Sequence, residues 1–230
     1  KHAAIGRVMT WIEAGDALPA VPEAIGAHDR RRMRVIGVTG APGVGKSTLI
    51  GQLIKALRRR EKTVAVLAVD PVSPITGGAL LGDRARMALT ADDQGVYVRS
   101  CASRGTMGGL APTTDLMLRV LDLSGIDVAV VETVGAGQND VEIRHVASPV
   151  VLVLMPGAGD ELQLAKAGIT EVADVFVINK ADLNGADRLA AQIRDTLGAD
   201  KTIVKTVASR GEGIDALADA LLASASPATP

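Results

Sequence analysis

Two periodicities of apolar residues divide this chain. Near the start, Ile5, Val8, Met9 and Ile12 recur at helical spacing and give one apolar stripe. Pro19 and Pro22 close that pattern, and the stripe is expected to dock on the chain's own core or, alternatively, to serve a partner. From Arg34 onward the period changes. Short, continuous apolar runs predict buried strands at Val35–Thr39, Thr63–Val69, Val96–Ser100, Asp127–Glu132, Val150–Met155, Val175–Asn179 and Thr202–Lys205. Amphipathic stretches between them predict helices at Lys46–Arg60, Asp83–Thr90, Thr114–Leu123, Asn139–Val146, Glu161–Val172, Ala186–Leu197 and Ile214–Ala223. Apolar strands alternating with helices imply an α/β fold: a mostly parallel sheet with helices on both faces. The expected organisation is a helical extension and linker over 1–34, one large domain over 35–224 and a frayed tail over 225–230.

Composition narrows the function classes. The net charge is −1, which advertises no nucleic-acid partner. The local basic clusters Arg30–Arg34 and Arg58–Lys62 are expected to be solvated edges. Trp11, Tyr97 and Phe176 are the only aromatic residues, so the core must be aliphatic and base-stacking platforms are not expected. A single cysteine, Cys101, excludes an intrachain disulfide and suggests a reducing compartment. His2, His28 and His145 lack metal-ligand spacing. No apolar run approaches the ~20 residues of a membrane-spanning helix. The start shows no signal pattern. A cytoplasmic protein without a membrane partner is expected.

Gly40-Ala-Pro-Gly-Val-Gly-Lys46-Ser47 follows a predicted strand and opens a predicted helix, the context a phosphate-binding P-loop requires. Gly43, Val44, Gly45 and the following residues would turn backbone N–H groups toward phosphate oxygens at a helix N-terminus. Lys46 would reach the β- and γ-phosphates, Ser47 would ligate Mg²⁺, and Thr48 would contact the α-phosphate. Asp70 and Glu132 end predicted strands on the same edge, and Asp83 lies in a Gly-rich loop between them. All three are candidate carboxylates for the metal, with Asp83 alternatively an N-cap. In Glu132-Thr-Val-Gly135, the Gly135 N–H is the expected γ-phosphate sensor.

Asn179-Lys180-Ala-Asp182 follows another apolar strand. A carboxylate can accept from guanine N1–H and the 2-amino group together, whereas adenine offers neither donor. Asp182 is thus the expected guanine reader, Asn179 the loop brace, and Lys180 a stem along the base. Ala208, after the last strand, is a candidate O6 donor, or part of an ordinary turn. Phosphate and base motifs together define GTP or GDP as the ligand. The implied chemistry is water attack on the γ-phosphate, driven by positioning and charge neutralisation. Ala136 rather than Gln follows Gly135, which predicts slow basal turnover. Gln138 lies nearby.

Three longer segments carry a family resemblance: Val69–Arg84, containing Asp-Pro-Val-Ser-Pro-Ile-Thr-Gly-Gly; Glu132-Thr-Val-Gly-Ala-Gly-Gln138; and Pro156-Gly-Ala-Gly-Asp-Glu-Leu-Gln163. With the two nucleotide motifs, these residues make the chain similar to the MeaB/ArgK/MMAA-like P-loop GTPases of the SIMIBI class, over about 35–215. That family chaperones adenosylcobalamin-dependent acyl-CoA mutases. The resemblance implies a GTPase that gates cofactor delivery and protects or rescues a mutase of the methylmalonyl-CoA type. An adenosyltransferase is a further implied partner. It matches Asp70, Asp83 and Glu132 to carboxylates around Mg²⁺, Arg86 to a basic residue near the phosphates, and Pro156–Lys166 to a mobile switch. In that switch, Asp160 and Lys166 would couple nucleotide state to the partner. No cobalamin-binding Asp-x-His-x-x-Gly pattern occurs, so the cobalamin is expected on the mutase. Val72 and Ala79 stand where family members commonly carry Ser. The stretch after Asp182 is short for the family's helical dimerisation arm, so dimerisation through it is not expected. Rival classes are a small-molecule kinase, for which no second substrate motif is found, and a nickel-enzyme metallochaperone, which would want Cys or His beside Glu132. A regulatory module that binds GTP without hydrolysis is a third.

Overall fold

The apolar runs do assemble into one sheet. In the computed structural model the strands are β1 (Arg34–Thr39), β2 (Val64–Pro71), β3 (Val96–Ser103), β4 (Val128–Thr133), β5 (Val150–Leu154), β6 (Val175–Ile178) and β7 (Thr202–Lys205). The helices are α1 (His2–Ala14), α2 (Lys46–Arg59), α3 (Ala111–Leu123), α4 (Ile169–Val172), α5 (Ala186–Leu197) and α6 (Ile214–Ala223). The structure describes residues 2–14, 32–71, 93–103, 111–133, 142–157 and 169–224. The predicted helix at Asp83–Thr90 lies outside these residues. So does most of Glu161–Val172, whose described end is α4. Within the predicted helix Asn139–Val146, the described part is chiefly a 3₁₀ turn, Ile143–His145.

The strand order is β3-β2-β4-β1-β5-β6-β7, and every pairing is parallel. Parallel strands need crossovers, so helices must cover both faces. Side chains on each strand alternate between those faces. Ile36 and Val38 join Leu49, Leu53, Leu217 and Leu221 beneath α2 and α6. Val35, Ala65, Leu67 and Val131 instead meet Met117, Leu121 and the α1 stripe. Farther along that second face, Leu152, Leu154, Phe176 and Ile178 pack under Leu189 and Ile193 of α5. Gly37 points toward the 3₁₀ turn, where an added Cβ would stand 2.8 Å from Ile143 Cδ1. Its missing side chain lets that turn lie against β1.

The N-terminal stripe docks as expected. Ile5, Met9 and Ile12 are buried in the second-face core, at roughly 1.5–3 kcal/mol per side chain removed from water. Arg99 of β3 fastens the same helix by pairing with Glu13 and donating to Gly6 O and Thr10 Oγ1. The His2 ring meets Tyr97 edge-on at 5.8 Å. Cys101 is buried beside Met117, and burial pushes its thiol up to about 12, which makes it an inert core residue.

The basic clusters do more than solvate an edge. Arg34 Nη1 donates to Leu221 O at 3.0 Å and to Ser224 O, closing the C-terminal end of α6. Arg59 and Arg60 tie the end of α2 to Asp215 and Asp219 of α6. Arg58 grips Asp93 with two bonds of 2.9 Å, and Asp93 also accepts from the Gly95 N–H at 2.8 Å. The Arg58 hydrogen bond, then the Gly95 N–H, hold the Asp93 carboxyl below its ordinary range. A depressed folded value means stability that is present above the unfolded value, about 3.9, and lost as pH falls through the folded one. Asp93→Asn should therefore cost about 1 kcal/mol at pH 7, and the gap to wild type should narrow by pH 3 in urea titrations. A gap that stayed constant from pH 7 to pH 3 would remove the ionised carboxylate as its cause.

Candidate functional site

β1 is central, between β4 and β5, and its C-terminal end opens into the loop 40–45. Loops at the C-terminal ends of parallel strands converge where neighbouring connections leave for opposite faces, and ligands bind there. The backbone of this loop needs glycine. Gly40, Gly43 and Gly45 all have positive φ, at 144°, 82° and 96°. At Gly45 an added Cβ would stand 2.5 Å from Asn179 Nδ2. Gly45 is the N-cap of α2 and supplies no side chain to the first N–H groups, which leaves a helix N-terminus suited to anionic oxygen.

Lys46 is buried, and its Nζ donates to Gly40 O at 2.7 Å and Ala41 O at 3.3 Å. The ammonium is therefore folded over the loop whose N–H groups would face phosphate. Ser47 Oγ donates to Glu132 Oε1 at 3.3 Å. Glu132 is buried, and in the sheet it pairs with Val38 of β1 and Ala68 of β2. A hydroxyl and a carboxylate meeting at a helix start are hard oxygen donors, and they fit the chemistry of Mg²⁺. Asp70 is in β2 with Ala102 as its register partner, near the C-terminal edge that carries Glu132. Asp83, Arg86, Gly135, Gln138, Asp160 and Lys166 lie outside the described residues.

The base-side motif folds onto the P-loop. Asn179 is buried; its Nδ2 donates to Val44 O at 2.8 Å, and its Oδ1 accepts from Thr206 Oγ1 and Ala208 N, both at 3.1 Å. One amide thus joins the P-loop, the β6 loop and the β7 loop. Lys180 has φ 54°, a left-handed conformation costing roughly 1–2 kcal/mol for a residue with a side chain. That backbone is stabilised by its Nζ, which donates to Gly43 O at 2.9 Å and lies 3.4 Å from Met155 Sδ. Between these groups is a pocket of about 260 Å³ lined by Gly45, Thr48, Asn179, Lys180, Asp182 and Ala208, with Leu183, Val207 and Ser209 completing the rim. It contacts the phosphate loop at one end and Asp182 at the other.

The Ala208 N–H, a candidate donor to a base oxygen or part of an ordinary turn, donates to Asn179 Oδ1 in this structure. Asp182 has a neighbour that the motif did not signal: Arg210 Nη2 stands 3.6 Å from its Oδ2. The buried Thr206 hydroxyl completes the Asn179 brace. The arrangement can hold a purine nucleoside di- or triphosphate, with phosphates over α2 and the base against the 179–183 and 206–209 loops.

Comparisons with known proteins bear on the family and the fold. A Pyrococcus abyssi protein named as a GTPase is 50% identical over 195 residues, covering 80% of this chain and 60% of that relative. The mouse mitochondrial methylmalonic aciduria type A homolog is 36% identical over 197 residues, covering 81% of this chain and 48% of that protein. The chain thus spans about half to three-fifths of the length of these relatives. Among solved structures, one titled LAO/AO transport system kinase superposes with a TM-score of 0.70 at 24% identity, covering 96% of this chain and 70% of that one, which establishes the P-loop fold. The model of one family, described as methylmalonyl Co-A mutase-associated GTPase MeaB, matches residues 5–228, and the chain belongs to that family.

Proposed function

We propose that this chain binds Mg·GTP, hydrolyses it slowly, and uses the cycle to gate cofactor loading of an adenosylcobalamin-dependent acyl-CoA mutase and to protect or reactivate that mutase. The observation that supports it most directly is the Asn179 brace, which links the phosphate loop to the base loop across one pocket. The family's description as a methylmalonyl Co-A mutase-associated GTPase supports a mutase as partner, and in this reading the cobalamin belongs to the mutase.

In this reading the N–H groups of Gly43–Ser47 and the Lys46 ammonium bind the β- and γ-phosphates, and Thr48 binds the α-phosphate. Ser47 and Glu132, with Asp70 and Asp83, would hold Mg²⁺, which when bound supplies neutralisation of phosphate charge. Gly135 senses the γ-phosphate, and Arg86 and Lys166 act near it. Asp182 reads guanine, and Lys180 supports its face. Catalysis then rests on positioning and charge. Purified chain should release phosphate at roughly 10⁻⁴ to 10⁻² per second, the intrinsic range of P-loop GTPases. Adding a methylmalonyl-CoA-type mutase should raise that rate severalfold. Turnover of tens per second by the chain alone, or no change with any acyl-CoA mutase, would sink the switch reading.

A further inference from the structure

Asp182 is not shielded within the pocket; its side chain is 40% exposed. A carboxylate this open would rotate and remain hydrated, and it would lose much of its power to discriminate bases. The structure gives it a cationic neighbour. Arg210 ends the 3₁₀ turn Ala208–Arg210, whose first residues line the pocket. Its Nη2 stands 3.6 Å from Asp182 Oδ2, an ion pair without a tight hydrogen bond. The guanidinium is itself anchored, because Nε donates to Glu212 Oε1 at 2.8 Å. Glu212 is fixed in turn through its backbone. Val207 N donates to Glu212 O at 3.1 Å, and Glu212 N donates to Val207 O at 3.3 Å. Gly211, between Arg210 and Glu212, closes that turn with φ 75°.

We infer that Arg210, held by Glu212, is a positioning and specificity-determining residue that orients Asp182 for the two-donor edge of guanine. The inference rests on the guanine reading of Asp182. An ionised carboxylate has about four acceptor sites, so guanine N1–H and the 2-amino group can occupy two while Arg210 keeps another. The looseness of the 3.6 Å pair fits this role. A closed bidentate pair would occupy the oxygens that the base needs, whereas a lateral cation restrains the carboxylate and keeps its acceptors available. Glu212 prevents Arg210 from collapsing onto Asp182 by engaging Nε.

The magnitude follows from exposure. Arg210 is 54% exposed and Glu212 59%, so the pair is screened, and a few-fold effect on binding is expected. Fluorescent GDP should bind Arg210→Ala roughly threefold to fivefold more weakly than wild type at low salt. Arg210→Lys should recover most of that loss, and Glu212→Gln should lose part of it. The Arg210→Ala effect should vanish in an Asp182→Ala background and fade at high salt. An unchanged Kd in Arg210→Ala, or the same loss with and without Asp182, would overturn the inference. Thermal unfolding of each variant identifies any general fold defect, and Arg210→Met retains bulk without charge if Arg210→Ala is destabilised. A separate arm compares wild-type affinity for GDP and ADP. If wild type prefers GDP while Arg210 and Asp182 are uncoupled, only this inference fails. If wild type shows no preference, the guanine reading fails and this inference falls with it.

Discussion

Asn179→Ala should lower GTP and GDP affinity by about 100-fold or more and destabilise the fold by about 2–4 kcal/mol. The size follows from what one amide holds. Asn179 is buried and satisfies Val44 O, Thr206 Oγ1 and Ala208 N, which belong to two other loops. Truncation leaves three polar groups in a buried place without this partner, at about 1–3 kcal/mol for each that finds no replacement. Thr206 is itself buried, so water reaches it poorly. The affinity loss has a second origin. Gly45 packs so closely on Asn179 that an added Cβ would stand 2.5 Å from its Nδ2, so this side chain also sets the spacing between the P-loop backbone and the base loop. Once the brace is gone, the loops order only when nucleotide binds, and that ordering cost is taken from affinity. Isothermal titration with GDP, together with urea unfolding, checks both numbers. Near-wild-type affinity would show that the P-loop and base loops are organised independently.

Why Asn179 is central was only partly legible beforehand. Short apolar runs marked the seven described strands, because the inner ones are buried on both faces and therefore largely apolar, while half-exposed β7 at the edge keeps only Ile203 and Val204 as apolar positions. Ends shifted where polar residues continued the ladder: β2 runs through Asp70 and Pro71, and β3 through Ser103. α3 starts at Ala111, ahead of the expected Thr114, because Pro112 fits a first turn where its missing N–H costs nothing. The P-loop and Asn179-Lys180-Ala-Asp182 were readable because their spacing is local. Strand order was not readable, since nothing local records that β1 lies between β4 and β5. Long-range partnerships escaped for the same reason. Arg210 beside Asp182, Thr206 on Asn179, and Arg34 at the end of α6 join residues from separate elements. Even the basic run Arg58–Lys62, which local sequence makes a solvated edge, acquires its roles from Asp93, Asp215 and Asp219.

Asp182→Asn will exchange the base preference of the site. Guanine presents two donors on the edge expected to face Asp182, and only a carboxylate offers two acceptors there. An asparagine amide offers one acceptor and one donor. Its NH₂ would then confront the 2-amino group of guanine, donor against donor, and the charge assistance of both bonds is lost. Hydrogen bonds to a charged group are each worth about 1.5–3 kcal/mol, so GTP affinity should fall about 100-fold or more. The lower end suits a side chain that is 40% exposed, where water can fill part of the deficit. Xanthine has a carbonyl in place of the 2-amino group, which the asparagine NH₂ can satisfy. XTP binding should therefore improve as GTP binding falls, while the phosphate contacts at Lys46 and α2 stay intact. Competition of GTP, XTP and ATP against a fluorescent nucleotide reads all three affinities in one format. An unchanged GTP-to-ATP ratio with no gain for XTP would remove Asp182 from base recognition and leave the pocket a phosphate site alone.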